Sequence, residues 1–600
     1  MDALPSVSVA LAGSGGAGVM TAGNMLLEAA AHAGYYGLMT RTSGPQIRGG
    51  EAAAMLRIST FAGDGQDDRY HLLAAIDWLN VQRFAAELPL GAQSLIVGDP
   101  AQGEPPEVFT RSGARYAPVP LKATAGEIAG AWPNMVALGV LAALVGLPLA
   151  SLEAAARKAM KKGLEPGIAA AQRGYALAKG LPSFPLAPPP PKKNRWLITG
   201  NEAAGYGALR GGVRFVAAYP ITPATELLEY LSPALAKVGG TLVQAEDELA
   251  SINMALGASF GGVPSLTATS GPGLSLMIES LGLGVAAEVP VVVVDVMRTG
   301  PSTGIATKTE QADLGTALYG LHGDAPHLVI APNSLEDCLA ATEWAVGLSE
   351  QLQCPAIVLA DQYLGQARAV VDAPAKGDGF IERLKAKGDG AGAAGGDAKS
   401  GAATSLADEA AKPAAGAAKP AAELYKRYAL TPSGVSPMAI PGTPGTTYTA
   451  DGLEHNEKGT PSSQASDHLA QMDKRARKLA QLDPGEAWAT VEGEGETALV
   501  TFGSCTGPAR EALARLEAAG EKVRLVSLRM LAPAQPQRLA RALEGVRRVM
   551  VLEQNHSGQF LKYLRAEYGL PFEVKSLRRP GPLPFRPAEI QGALAQWRSA

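Results

Sequence analysis

Three polar segments of the sequence each follow a predicted strand and carry a side chain that could do chemistry. Tyr219-Pro220-Ile221-Thr222-Pro223 holds a threonine hydroxyl between two prolines, which restrict the backbone on both sides. Glu246-Asp247-Glu248 begins a predicted helix of small residues, and Arg298 follows the β-branched run Val291–Val294. Chemistry in α/β domains lies at the carboxyl ends of parallel strands, so we expect these side chains at sheet edges.

Each segment has a chemical and a structural interpretation, and the sequence leaves both open. A carboxylate from residues 246–248 could hold a proton against a nitrogen base, or the acids could simply stabilise the positive end of a helix. Arg298 could bind a substrate carboxylate through charge-assisted hydrogen bonds, or close a helix or a partner interface. Thr222 could be aimed at a ligand, or could cap a helix with Pro223 at its first position.

A glycine-rich segment near the N-terminus fits the G-x-G-x-x-G pattern between a predicted strand and a predicted helix. Its glycines would let backbone amides approach a pyrophosphate; they are Gly13, Gly15, Gly16 and Gly18. Where nicotinamide-binding folds carry an acid, roughly 20 positions on, this sequence has Arg41, which suits a phosphorylated ribose such as that of coenzyme A. Arg48, in the next glycine-bounded loop, could meet an anion or point into solvent. A tight turn without a ligand is an equal alternative.

Alternating apolar runs and helical patterns divide the chain into three α/β units with a low-complexity insertion, and mainly parallel sheets are expected. Predicted strands of the second unit are 213–218, 241–245, 265–268, 289–296, 327–331 and 356–360. The predicted segments are a first unit 1–185, a proline-rich linker 186–194, a second unit 195–372, a disordered stretch 373–422, a wrapping arm 423–485 and a third unit 486–600.

Charge, apolar spans and cysteine content exclude several classes of protein and kinds of metal site. With 53 basic and 57 acidic residues the net charge is −4, which argues against binding to nucleic acid or a membrane surface. No basic leader and no long apolar span are present, so we expect a cytoplasmic protein. Three scattered cysteines cannot supply the four ligands of an iron–sulfur cluster, and no Gly-Asp-Gly triplet is followed by the paired asparagines of a Mg²⁺–diphosphate site. We therefore expect no metal site in this chain.

Together these segments resemble the 2-oxoacid:ferredoxin oxidoreductase family over nearly the whole chain. Residues 1–185 resemble its gamma domain through GSGGAGVMTAG and SGPQIRGGEAAA. Residues 195–372 resemble its pyrimidine-binding alpha domain through YPITP, EDELASINMALGAS and SGPG. Residues 486–600, with Glu553-Gln554-Asn555, resemble its transketolase C-terminal-like domain.

The resemblance implies a role for each candidate residue. Glu248 would hydrogen-bond the aminopyrimidine of thiamine diphosphate, Tyr219 and Thr222 would contact the substrate, and Arg298 would pair with its carboxylate. A beta subunit would share the thiamine diphosphate and carry Mg²⁺ and a [4Fe-4S] cluster, in an (αβ)₂ assembly that acylates coenzyme A and reduces ferredoxin.

The implied substrate is 2-oxoglutarate, with pyruvate or a branched-chain 2-oxoacid as alternatives; no second cation for a dicarboxylate stands out in the sequence. A nicotinamide-dependent oxidoreductase and a non-catalytic scaffold subunit remain alternatives from other classes.

Overall fold

The computed structural model describes residues 3–44, 50–191, 193–377, 379–388, 425–571 and 573–599. The N-terminal unit has strands β1 (Ser6–Gly13), β2 (Tyr36–Ser43), β3 (Ala52–Ser59), β4 (Leu72–Ala75), β5 (Leu95–Gly98) and β6 (Arg115–Pro118). Its helices are α1 (Val19–His32), α2 (Glu107–Thr110), α3 (Leu121–Gly126), α4 (Pro133–Leu144), α5 (Leu149–Ala159) and α6 (Leu164–Leu177), with 3₁₀ turns at Val81–Glu87 and Pro100–Gln102.

The middle unit has strands β7 (Arg195–Thr199), β8 (Phe215–Ala218), β9 (Thr241–Gln244), β10 (Ser265–Thr269), β11 (Val291–Met297), β12 (Leu328–Ile330), β13 (Pro355–Asp361) and β14 (Arg368–Asp372). Its helices are α7 (Gly200–Arg210), α8 (Thr225–Lys237), α9 (Glu248–Phe260), α10 (Gly271–Ala286), α11 (Leu314–Tyr319), α12 (Asp337–Leu352) and α13 (Gln362–Gln366). The six predicted strands are confirmed, with ends shifted by at most two residues.

The C-terminal part begins with α14 (Ala465–Ala480), which lies within the predicted arm. Its strands are β15 (Ala489–Gly493), β16 (Thr497–Phe502), β17 (Arg524–Leu528), β18 (Met530–Ala532), β19 (Arg548–Glu553) and β20 (Glu573–Arg578). Its other helices are α15 (Thr506–Ala518), α16 (Pro536–Ala542), α17 (Gln559–Tyr568) and α18 (Pro587–Ser599), with 3₁₀ turns at Gly485–Trp488 and Gly503–Cys505. The sequence did not predict β15, β18, β20 or α18.

The first sheet, in the order β6-β5-β4-β1-β3-β2-β14-β7, is mixed, so the expectation of a mainly parallel sheet is wrong for this unit. Strands β1, β4, β5 and β6 are parallel, whereas β3 is antiparallel to both β1 and β2. The link from Ser43 to Ala52 is too short for a parallel crossover, which needs a dozen or more residues, so β2 and β3 pair antiparallel.

Sheet membership does not follow the order of the units along the chain. Strands β7 and β14, at the two ends of the predicted second unit, pair with each other and join the first sheet through β2. The second sheet has the order β18-β12-β13-β11-β10-β8-β9, all parallel except β18, which comes from the C-terminal unit. The third sheet, β15-β17-β16-β19-β20, is parallel except for β15. The three units are therefore joined by strand pairing as well as by packing.

The arm is anchored by buried charges. Glu288, at the end of α10, forms ion pairs with Lys474 and Lys478 of α14, and its backbone carbonyl accepts a hydrogen bond from Arg427 at 2.7 Å. Burial raises the pKa of the Glu288 carboxyl, but the two ammonium groups outweigh it and lower the pKa to about 2. Burial lowers the pKa of Lys474 to about 7. One carboxylate thus holds the arm against the middle unit.

The described part of the predicted disordered stretch 373–422 includes a residue that is packed against the middle unit. Arg383 is buried and pairs with the buried Glu350 through two bonds of 2.6 Å. Residues 389–422 of the predicted disordered stretch lie outside the described residues. Within the described ranges, no helix is long and apolar enough to cross a bilayer.

Candidate active site

The structure separates the three acids at the start of α9. Asp247 is exposed and caps the helix, since its carboxylate accepts a hydrogen bond from the Ala250 amide at 2.7 Å. Glu246 is also exposed, whereas Glu248 is buried with 7% of its surface accessible. The Glu248 carboxylate accepts no hydrogen bond from any described residue. Of the three, only Glu248 is therefore a buried carboxylate without a protein donor.

Glu248 lies against the start of α10, in the SGPG loop. A Cβ added to Gly273 would come within 2.7 Å of Glu248 Oε1 and 2.0 Å of Thr269 Oγ1. Gly273 therefore leaves the space that the Glu248 side chain occupies, and the glycine of this motif is needed for close approach.

Arg298 connects the ends of β8 and β11. Its Nη1 donates to the backbone carbonyl of Thr222 at 2.6 Å, and its Nε has no hydrogen-bond partner among the described residues. Burial lowers the pKa of Arg298, while the charges of Asp313 and Glu248 oppose this shift. The structure thus brings Thr222, Glu248 and Arg298, which are far apart in sequence, into one region at the carboxyl edge of the second sheet.

The helix-cap interpretation of Thr222 is wrong. Helix α8 begins at Thr225, with Ala224 at its N-cap and no side-chain cap. Thr222 lies outside the helix and precedes a cis peptide bond to Pro223. Tyr219, at the end of β8, keeps 41% of its surface exposed.

A cavity of about 750 Å³ opens beside Arg298. Two of its walls come from the middle unit: the SGPG loop and the segment after Arg298, which includes Glu310 and Asp313. The C-terminal unit supplies the other wall, which includes His556. A Cβ on Gly271 would lie 2.4 Å from Asp313 Oδ1, which places that carboxyl beside the loop that packs on Glu248. The cavity thus has walls from two units of the chain.

Two acids in this region share a buried environment. Asp295, on β11, is fully buried, and neither of its carboxyl oxygens has a hydrogen-bond partner among the described residues. Burial and the nearby charge of Asp313 raise the pKa of Asp295 well above its usual value. Burial also raises the pKa of Asp313 to about 7, with a further contribution from Glu310. Sequence reasoning missed both aspartates, although Asp295 stands in the same strand that led to Arg298.

Part of the glycine loop is already occupied by contacts with other residues of the chain. The amide and hydroxyl of Ser14 both donate to the carboxylate of Asp77, at 3.0 and 2.7 Å. Gly18 has φ 81°, and a Cβ there would meet the Asn134 amide at 2.3 Å, so this glycine is required by both backbone and packing. Gly15 and Gly16 are exposed. An anion at this loop would have to use amides other than that of Ser14.

Arg41 lies near the same sheet edge as the glycine loop. Gly13 and Ser43 both align with Ala52 of β3, so the loops after β1 and β2 are two strand spacings apart. Arg41 forms an ion pair with Glu226 of α8 and is therefore part of the contact with the middle unit. Arg48 lies outside the described residues.

A second cavity of about 360 Å³ lies where the three units meet. Its lining includes Arg41 but none of the glycine-loop residues. Its other cationic side chains, which sequence reasoning missed, are Arg69, Lys308, Arg579 and Arg586. Lys308 is paired with Glu87, and Arg579 with Glu589. The structure therefore does not bring Arg41 and the glycine loop into one cavity.

Comparison with known proteins gives matches along most of the chain. Residues 8–177 match the family model described as pyruvate ferredoxin/flavodoxin oxidoreductase. Residues 206–474 match pyruvate flavodoxin/ferredoxin oxidoreductase, thiamine diP-bdg, and residues 495–571 match pyruvate:ferredoxin oxidoreductase core domain II. These three matches follow the three α/β units in order.

Two curated relatives are alpha subunits. The chain is 34% identical to 2-oxoacid:ferredoxin oxidoreductase 2, subunit alpha, of Aeropyrum pernix over 432 residues, which is 68% of this chain and 62% of that one. It is 31% identical to 2-oxoacid:ferredoxin oxidoreductase 1, subunit alpha, of Sulfurisphaera tokodaii over 480 residues, which is 77% of this chain and 71% of that one.

A solved structure matches over the full length. It is a 2-oxoglutarate:ferredoxin oxidoreductase from Magnetococcus marinus with 2-oxoglutarate, coenzyme A and succinyl-CoA bound, with 34% identity, a TM-score of 0.86, and 99% coverage of both chains. Together with the three family matches and the alpha-subunit relatives, this match confirms the predicted α/β fold class. The chain belongs to the 2-oxoacid:ferredoxin oxidoreductase family, as an alpha subunit with a gamma-like unit fused at its N-terminus.

Proposed function

We propose that this chain is the alpha/gamma-fused subunit of an enzyme that oxidatively decarboxylates 2-oxoglutarate, transfers the succinyl group to coenzyme A, and reduces ferredoxin. The observation that carries the substrate assignment is the full-length similarity to the Magnetococcus marinus protein, whose structure has 2-oxoglutarate, coenzyme A and succinyl-CoA bound. Pyruvate is the second candidate, because the matched family models are described by that substrate.

The residues around Glu248 fit thiamine diphosphate. The Glu248 side chain is 7% exposed and its carboxylate accepts no hydrogen bond from a described residue, so it is available to a donor on a bound group. Thiamine diphosphate, when bound, supplies a thiazolium carbon that reacts with the keto group and an electron sink for decarboxylation. We assign Glu248 to the ring nitrogen of the aminopyrimidine, where it would hold the proton that controls the tautomer of the ring.

Arg298 and Thr222 are assigned to the C1 carboxylate of the 2-oxoacid. The bond from Arg298 to the Thr222 carbonyl uses one N–H of the guanidinium and fixes the position of its plane. The remaining N–H groups can form charge-assisted hydrogen bonds with a carboxylate. Tyr219, half exposed at the same strand end, is assigned to the rim of the substrate site.

We assign coenzyme A to the N-terminal unit. The loop that holds Gly13, Gly15, Gly16 and Gly18 shares one sheet edge with Arg41, and Arg48 is assigned to the same site from the sequence resemblance. The amide of Ser14 is already bonded to Asp77, so the contribution of the glycine loop would come from its later amides. Arg41 would have to keep or exchange its pairing with Glu226.

A beta subunit completes the proposed enzyme and would bind the diphosphate, Mg²⁺ and a [4Fe-4S] cluster. Exposed apolar side chains flank Glu248 and support a partner surface there: Leu249 at 48%, Met254 at 43% and Leu276 at 49% exposure. We propose an (αβ)₂ assembly that delivers electrons to ferredoxin in the cytoplasm, in keeping with three free, buried thiols.

The test is reconstitution with the beta subunit, followed by coenzyme-A-dependent reduction of a low-potential dye with 2-oxoglutarate and pyruvate side by side. Glu248→Gln should lower kcat by on the order of 100-fold or more, since it removes a group that controls a proton. Glu246→Gln, two residues away and exposed, is the matched control and should leave turnover unchanged. Full turnover of Glu248→Gln would favour a scaffold role, and turnover of pyruvate alone would refute the substrate assignment.

A further inference from the structure

The 750 Å³ cavity beside Arg298 has a distinctive set of charges. Among the described side chains that line it, only those of Arg298 and His556 can carry a positive charge. Its acidic side chains are Glu310 and Asp313. A dicarboxylic 2-oxoacid brings two negative charges, and Arg298 can satisfy only the one beside Thr222.

Glu310 and Asp313 repel an anionic ligand less than two fully ionised carboxylates would. Burial raises the pKa of Glu310, although a backbone hydrogen bond from Gly581 and the charge of His556 act against this shift. Burial and the charge of Glu310 raise the pKa of Asp313 to about 7. Both carboxyl groups therefore gain protons more readily than exposed acids do, and the cavity is correspondingly more hospitable to a dianion.

His556 lies on a turn that is fixed by its neighbours. The Glu553 carboxylate accepts hydrogen bonds from the amides of Phe560 at 2.7 Å and Leu561 at 3.1 Å. Asn555 Oδ1 accepts from the amide of Gly558 at 2.8 Å. These bonds tie the end of β19 to the start of α17 and leave the backbone at His556 little freedom.

The same turn is joined to the segment that follows Arg298. The amide of Gln311 donates to the Gln554 carbonyl at 2.7 Å, and the amide of Gln554 donates to Gln311 Oε1 at 2.8 Å. Farther along, Gln559 Nε2 donates to the Ala312 carbonyl at 2.8 Å, and its Oε1 accepts from the Gly315 amide at 2.7 Å. The backbone on both sides of His556 is therefore tied to the segment that contains Asp313, and the exposed imidazole of His556 lines the same cavity as Arg298.

We propose that His556 binds the distal carboxylate of the substrate and thereby selects a dicarboxylic over a monocarboxylic 2-oxoacid. This inference rests on the proposed function, in which Arg298 holds the C1 carboxylate. Arg298 and His556 come from different units, line one cavity and supply one cationic group for each carboxylate of the substrate, and the bonded turn restricts where the imidazole can lie. The competing explanation is a second cation supplied by the beta subunit.

The test compares 2-oxoglutarate with 2-oxopentanoate, which has the same five-carbon chain without the distal carboxylate. In the reconstituted complex, His556→Gln should lower the ratio of kcat/KM for the two substrates by about 10-fold to 100-fold, the effect of one hydrogen bond to a charged group. The loss should appear in KM for 2-oxoglutarate. His556→Lys keeps a positive charge and should recover part of the ratio. The matched control is His322→Gln, because His322 is exposed and does not line the cavity.

The outcomes separate this inference from the proposed function. An unchanged ratio in His556→Gln, with the wild type favouring 2-oxoglutarate, would overturn the role of His556 and point to the beta subunit. Equal losses with both substrates in both His556 variants would also overturn it, because a structural defect does not discriminate between them. A wild-type enzyme without preference for 2-oxoglutarate would refute the substrate assignment itself, and the role of His556 with it.

Discussion

Gly273→Ala should disable catalysis without changing any residue assigned to the chemistry. Gly273 is the third residue of α10, and its side-chain position points at the space occupied by Glu248. An added Cβ would lie 2.0 Å from Thr269 Oγ1 and 2.7 Å from both Glu248 Cγ and Oε1. Real carbon–oxygen contacts need well over 3 Å, so the Glu248 carboxylate or the helix start must move.

The size of the effect follows from that displacement. Relieving the contact with Glu248 requires a movement on the order of 1 Å, and a misplacement of this size can reduce a rate by about 100-fold. Overpacking of a buried site costs about 1–3 kcal/mol of stability, which a multidomain chain of this size can tolerate. The backbone at Gly273 is helical, so alanine itself introduces no backbone strain. We therefore expect a folded subunit with a misplaced carboxylate.

Gly282→Ala is the matched control, because Gly282 lies on the same helix and a Cβ there would meet no described atom within 4 Å. Both variants would be reconstituted with the beta subunit and assayed for coenzyme-A-dependent dye reduction with 2-oxoglutarate. Thermal unfolding and assembly with the beta subunit would be measured in parallel. Wild-type kcat in Gly273→Ala would refute the placement of Glu248 as the residue that controls the pyrimidine, and an equal loss in Gly282→Ala would point to a general helix defect.

Three further predictions concern stability and binding. Glu288→Gln should destabilise the docking of the arm by about 3–5 kcal/mol in urea unfolding, because it leaves two buried ammonium groups without a carboxylate. Glu382→Gln removes an exposed ion pair and should have no effect. Because Asp313 has a raised pKa, its contribution to stability should fall as pH rises from about 4 to 7, by at most about 4 kcal/mol, so the stability difference between wild type and Asp313→Asn should change with pH over this range; a constant difference would contradict the raised pKa. Arg298→Lys should raise KM about equally for 2-oxoglutarate and pyruvate, because both carry the C1 carboxylate; a selective effect would contradict its assignment.

Local sequence signals were enough to select the proposed site residues at one sheet edge. Thr222, Glu248 and Arg298 each lie within four residues of the end of a strand, and a parallel sheet collects such positions at one edge whatever the order of its strands. Six of the seven strands of the second sheet were predictable, since short apolar runs bounded by turn residues are a local pattern, whereas β18 was not predicted. The sequence could not predict that Asp247 caps the helix and that Glu248 is buried, because three adjacent acids look alike in sequence.

Partner choice between distant segments was decided only by the tertiary structure. Strands β7, β14 and β18 join sheets outside their own units, and the pairing of a strand edge depends on what is brought beside it rather than on its own residues. Arg41 looked available for a ligand, yet the fold places Glu226 against it.

The sequence alone therefore predicted the three α/β units and the residues at strand ends, because both depend on short-range periodicity and motif spacing. Which side chains share a cavity was settled by packing between the units. His556 lines the same cavity as Arg298 because bonds between Gln311 and Gln554 join segments more than 200 positions apart, and no local pattern encodes that pairing.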